Sequence, residues 1–103
     1  MKIHNLITTS DELAALCQRL AQSEFITVDT EIMWENTYWP ELCLVQIANN
    51  HEAAAIDPSA QGINLEPLLE LLTENLNVLK VFQAGAQDVE IIVNLTGKTP
   101  QPI

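Results

Sequence analysis

Phe25-Ile26-Thr27-Val28-Asp29-Thr30-Glu31 is the stretch on which the reading of this chain turns. Residues two apart share a face of a strand, so Ile26 and Val28 point one way and Asp29 and Glu31 the other. The segment reads as a strand with one apolar side and two carboxylates at its far end. A further acidic residue, Asp88, closes Gln83-Ala84-Gly85-Ala86-Gln87-Asp88 at the mouth of a helical pattern. It stands at helical spacing from Ile91, Ile92 and Leu95, on the stripe that faces a core. A carboxylate there needs a partner or a cation. Three carboxylates meeting on one spot would repel without a cation, and oxygen donors of this kind suit a hard divalent metal. Taken singly the signals are weaker. Asp-x-Glu is most often a solvated pair, and a first-turn Asp is favoured by the helix dipole alone.

Outward from that strand the pattern alternates between periods. Residues 3–7 read as a short strand. Thr9 with Glu12 three residues on is a capping box, and Leu13, Leu16, Cys17 and Leu20 predict a helix over 10–22. After Phe25–Glu31, Pro40 holds Trp39 extended, so Asn36–Pro40 reads as a turn. Leu42–Ala48 is apolar on both faces, as in a central strand. Asn49-Asn50 turns the chain into a strand at Ala53–Ile56, which Asp57-Pro58 stops. Leu65, Leu68, Leu69 and Leu72 form a helical stripe, with Asn64 as its cap and Pro67 in the first turn. Val78–Phe82 is a short buried strand. Ala86–Thr96 is a third helix closed by Gly97, and 98–103 is extended or coil. The order β-α-β-β-β-α-β-α predicts an α/β domain: a three-stranded meander, then a helical crossover to a parallel strand.

The 103 residues allow one small domain, and 48% hydrophobic residues supply a core. Four basic against 14 acidic side chains give a net charge of −10. Such a surface argues against autonomous nucleic-acid binding, which rests on Lys and Arg, but not against a carboxylate metal site. Cys17 and Cys43 lie in apolar patterns without metal-ligand spacing and read as buried thiols, which places the protein in a reducing cytoplasm. No apolar run approaches the roughly 18 residues of a membrane span, and Met1–Asn5 lacks a signal-peptide core. His4 and His51 are isolated. Tyr38 and Trp39 read as local packing in a loop, with stacking on a base as the alternative. Gln46 is either a satisfied core amide or a partner of the site.

The chain resembles the ribonuclease D branch of the DEDD 3′–5′ exonucleases. The residues that carry the resemblance are Val28-Asp29-Thr30-Glu31, Thr37-Tyr38-Trp39-Pro40-x-Leu42-x-Leu44-Val45-Gln46-Ile47, Ile56-Asp57-Pro58 and Phe82-x-Ala84-Gly85-x-Gln87-Asp88, followed by Leu95-x-Gly97 and Pro100-x-Pro102. It covers essentially the whole chain, in order. It implies a ribonuclease H-like mixed sheet flanked by helices, with residues 1–103 a partial, C-terminally incomplete exonuclease domain. It also implies two-metal hydrolysis of phosphodiesters at RNA 3′ ends, of tRNA precursors or other structured RNA. Asp29, Glu31 and Asp88 would then be the catalytic carboxylates and the ligands of two Mg²⁺ or Mn²⁺ ions. Asp29 would bridge both ions, Glu31 would hold the nucleophile-side ion, and Asp88 the leaving-group-side ion. Thr30, Ile32, Gln83 and Gly85 would lie against the substrate.

Departures from the family pattern accompany these matches. The third motif, a Tyr and an Asp on a later helix, does not occur in the 103 residues. Ile32 stands where Phe is common, and Gln83 where His is. Little turnover is therefore expected of this chain alone. The family's next strand would pair beside Val78–Phe82, so that strand is expected to be an edge, guarded only by Lys80 and prone to self-association. Two other readings compete: a non-catalytic acidic interaction domain, and a proofreading exonuclease acting on DNA.

Overall fold

The computed structural model describes residues 1–34, 40–83 and 86–103, with the backbone alone for 33, 34, 40, 41, 86 and 87. In chain order the elements are β1 (Lys2–Ile3), α1 (Ser10–Leu20), β2 (Phe25–Trp34), β3 (Pro40–Ala48), β4 (Glu52–Ile56), α2 (Glu66–Thr73), β5 (Leu79–Phe82) and α3 (Ala86–Thr96). The strands form one mixed sheet in the order β1-β4-β3-β2-β5. β2, β3 and β4 are the antiparallel meander, and β5 returns parallel to β2 after the α2 crossover. The expected order of elements and the α/β mixed-sheet class therefore hold.

All three helices pack on one side of this sheet. Ile26 and Val28 of β2, Val45 and Ile47 of β3, and Ile56 of β4 join one apolar cluster with Leu13, Leu16 and Leu20 of α1, Leu68, Leu71 and Leu72 of α2, and Ile91 and Ile92 of α3. The alternate residues of the same strands are half-buried or exposed, among them Thr27, Asp29, Glu31, Leu44, Gln46 and Val81. Leu42–Ala48 is thus central in the sheet but, among the described residues, covered on one face only. An apolar pattern on both faces records what each face could bury, whereas coverage depends on a second layer of structure. Gln46 falls on the uncovered face and is exposed, so it is not a core amide.

Local chemistry explains several helix ends. Thr9 caps α1, its Oγ1 accepting the Glu12 amide at 3.3 Å and donating to Glu12 Oε1 at 2.8 Å. Gly97 closes α3 at φ +72°, where its N–H reaches Val93 O at 2.7 Å. Asn64 Oδ1 accepts the Glu66 amide at 3.0 Å, although the residue flanking α2 is Leu65.

Several expectations are corrected. The first strand is only Lys2–Ile3, with a separate bridge from Ile7 to Ile56, because it has β4 alone to pair with. The α2 stripe is Leu68, Leu71 and Leu72, while Leu65 and Leu69 are half-buried. Leu95 is exposed. Cys17 is buried but Cys43 only half-buried, and no disulfide joins them. Lys80 is not a guard on the edge of β5: it is fully buried, and its Nζ donates to the carbonyls of Asn75 and Gln101. The outer side of β5 is met at that point by the tail, with Lys80 N–H donating to Pro102 O at 2.9 Å. The turn through Asn36–Trp39, with Tyr38, lies outside the described residues, as do Ala84 and Gly85.

Candidate active site

The site is built in the middle of β2, just past the point where its pairing with β5 stops. Asp29 and Glu31 share the uncovered face, Asp29 half-buried and Glu31 exposed. Asp29 sits opposite Gln46 of β3 and lines a depression of about 360 Å³ with Thr27, Gln46, Gln83 and His4. One step further the register between β2 and β3 shifts: Glu31 pairs with Leu44 but Ile32 with Leu42. The bulge lets Ile32 and Leu42 both pack against the core.

Thr30, between the two carboxylates, points to the covered side and is buried. There it meets Asp88. Asp88 is the third residue of α3 and is fully buried. Its Oδ1 accepts the Thr30 backbone N–H at 3.1 Å and also the Thr30 hydroxyl.

The register explains why that amide needs such a partner. The parallel ladder between β2 and β5 runs from Phe25–Leu79 to Val28–Phe82, and Gln83 N–H closes it on Val28 O at 3.1 Å. Thr30 is the next β2 residue whose amide points toward β5, past the last paired residue. A buried N–H in that position must find an acceptor. The Asp88 carboxylate provides it, and as a charged acceptor it makes a stronger bond than a neutral one.

The fold thus brings Asp88 within one peptide unit of Asp29, though its Oδ1 serves the covered side of β2 while Asp29 and Glu31 open to the other. Asp29 and Glu31 are hard oxygen donors reachable from solvent and suit Mg²⁺ or Mn²⁺. Among the described residues no group of three His, Cys, Asp or Glu side chains is disposed to hold an ion. Of the residues expected against a substrate, Gln83 is exposed, Ile32 half-buried and Thr30 turned inward, while Gly85 is not among the described residues.

A second polar cluster escaped the sequence reading. Glu52 of β4 is buried and accepts three bonds from Arg19, from Nε at 3.1 and 3.0 Å and from Nη2 at 2.9 Å. His4 Nε2 lies 2.7 Å from the same carboxylate. Arg19 holds the Glu52 carboxyl below the usual range, with His4 assisting against the opposing effect of burial. The only sequence hint was an acidic residue at an inward position of a strand.

Three comparisons bear on this arrangement. A family model described as 3′-5′ exonuclease matches residues 4–103. Ribonuclease D of Sphingobium indicum is 64% identical over 103 residues, which are 100% of this chain and 26% of that protein. The crystal structure of Escherichia coli RNase D, an exoribonuclease involved in structured RNA processing, matches with a TM-score of 0.85 at 36% identity, over 96% of this chain and 26% of that one. Brucella melitensis NrnC with bound Mg²⁺ matches with a TM-score of 0.68 at 25% identity, over 99% of this chain and 48% of that one. The chain spans about a quarter of the length of the curated relatives it matches.

Proposed function

Because this chain belongs to the 3′–5′ exonuclease family, within which it is ribonuclease D-like, we propose that residues 1–103 are part of a 3′–5′ exoribonuclease domain acting on RNA 3′ ends. Precursor tRNA and other structured RNA are the proposed substrates, and the reducing cytoplasm the proposed compartment. Among the described residues no helix is long and apolar enough to cross a membrane. The observation that carries the reading is the position of Asp88, at the strand residue that separates Asp29 from Glu31.

Asp29, Glu31 and Asp88 are the proposed metal ligands. Two Mg²⁺ or Mn²⁺ ions bound there would supply Lewis acidity to phosphodiester hydrolysis. The chain's own residues have separable parts to play. Asp29 and Glu31 place negative charge on the uncovered face, which disfavours a bare phosphate and couples substrate binding to the cation. Gln83, exposed beside Asp29, offers an amide to the terminal nucleotide. Ile32 packs against the core and presents an apolar surface where an aromatic wedge would be bulkier. Gly85 is proposed to leave room for the backbone of the substrate. Exposed Phe25, Leu79 and Val81 make self-association through the sheet the proposed behaviour of the isolated chain.

The test is a chimera in which this chain replaces the matching 103 residues of the Sphingobium enzyme. It is expected to shorten a 5′-labelled RNA from its 3′ end in Mg²⁺, and Asp29→Asn or Glu31→Gln is expected to stop it. A folded chimera that leaves the RNA intact would favour the non-catalytic interaction domain, and one that trims only DNA would favour the proofreading reading. Residues 1–103 alone are expected to give little turnover.

A further inference from the structure

We infer that Thr30 is a positioning residue of this site, holding Asp88 against the stretch of β2 that carries Asp29 and Glu31 and thereby setting the site's affinity for a hard divalent cation. The inference rests on the metal-site reading above and goes beyond it by assigning a task to a side chain that points away from the uncovered face.

Thr30 stands in a row of inward positions otherwise filled by Ile26, Val28 and Ile32. A valine would fit that row in shape and in strand preference. A buried hydroxyl is costly there unless it is bonded, and it is bonded, to Asp88 Oδ1. The neighbouring amide makes the same choice, so two donors from one residue fix one carboxylate oxygen. The amide bond is dictated by where β5 stops and would persist with any residue but proline at position 30. The hydroxyl is the part that depends on the side chain. Two donors on one oxygen constrain the plane of the carboxylate as well as its position more tightly than the amide alone would. Hydrogen bonds behind a ligand orient it in this way, and their loss typically costs about 10- to 100-fold in metal affinity. Asp88 and Thr30 lie 58 residues apart in sequence, so the contact also ties the start of α3 to β2.

The experiment is a calorimetric titration of Mn²⁺ into residues 1–103, with Asp29→Asn as the control for site binding. Each variant is checked by circular dichroism for the wild-type fold. Thr30→Val is expected to weaken Mn²⁺ binding by about 10- to 100-fold, and Thr30→Ser, which keeps the hydroxyl, to stay close to the wild type. In an Asp88→Asn background Thr30→Val is expected to change little, because its effect passes through Asp88. Should Thr30→Val not fold, Thr30→Ala takes its place against Thr30→Ser. Unchanged affinity in folded Thr30→Val, or equal loss in Thr30→Ser and Thr30→Val, overturns the positioning role and leaves the metal-site reading standing. Wild-type protein without Mn²⁺ binding that depends on Asp29 overturns that reading and the positioning role with it.

Discussion

Asp88 Oδ1 lies 3.1 Å from the Thr30 backbone nitrogen and also accepts the Thr30 hydroxyl, so the first turn of α3 terminates the ladder that β5 leaves unfinished on β2. One carboxylate therefore has two tasks. It closes a backbone hydrogen bond inside the fold, and it stands beside the pair proposed to bind the cation.

That double role separates the three acidic residues in stability. Asp88→Ala leaves a buried amide and a buried hydroxyl unsatisfied and is expected to cost about 1–3 kcal/mol. Asp29→Asn removes one of two like charges from an uncovered face in a chain of net charge −10 and is expected to be neutral or slightly stabilising. Urea denaturation of the two variants checks the contrast. Equal losses would mean that the Thr30 bonds contribute nothing to stability.

Acid should act through Glu52. Its carboxyl titrates lower in the fold than its ordinary value of 4.5, chiefly through Arg19 and then through His4. A depressed carboxyl pKa contributes stability that is complete above the unfolded value and lost as pH falls through the folded one. Thermal midpoints should therefore drop as pH is lowered below about 4.5, and Glu52→Gln should flatten part of that slope. Because Arg19 is half exposed, its truncation to Ala is expected to cost about 1–2 kcal/mol, between a surface pair and a buried charged hydrogen bond.

Lys80 ties three segments together. Its Nζ bonds the carbonyls of Asn75 and Gln101, and its own amide bonds Pro102. Burial lowers its pKa from 10.5. Lys80→Met keeps most of the apolar stem and removes the donors, which should cost about 1–3 kcal/mol and release the tail. Hydrogen exchange reads the second effect: the amide of Gln101, which donates to Leu72 O at 3.1 Å, is expected to lose protection. Protection unchanged from the wild type would show that the tail is held without Lys80.

The two cysteines should differ in reactivity. Burial pushes the Cys17 thiol up to about 12, so near neutral pH it carries almost no thiolate and is shielded as well. Cys43 is half-buried. Alkylation of the native protein is expected to label Cys43 well before Cys17, with both labelled in denaturant. Rapid native labelling of Cys17 would contradict the packing of α1.

Much of the scaffold is written in local pattern. Leu13, Leu16, Cys17 and Leu20 specify the inner face of α1, Thr9 its start, and Ile26 with Val28 the covered side of β2. Each follows from spacing along a few residues, because helical and strand periods decide which side chains share a face. Motif wording around Asp29, Glu31 and Asp88 carried the family for the same reason: it too is local.

Partnership across the chain was decided by tertiary structure alone. Thr30 meets Asp88 across 58 residues, Glu52 meets His4 across 48 and Arg19 across 33, and Lys80 meets Gln101 across 21. Spacing marks neither Glu52, outside the strand read at Ala53–Ile56, nor Lys80, read as an edge guard, as buried. It shows that Asp88 points inward, but not which group waits there. That depends on sheet register and on where β5 stops, which close only when the strands pair. Coverage is undetermined for the same reason. Leu44 and Gln46 share the open face of β3 although one is apolar and one polar, because a strand's pattern states what a face could bury and the packing of other elements decides whether it does.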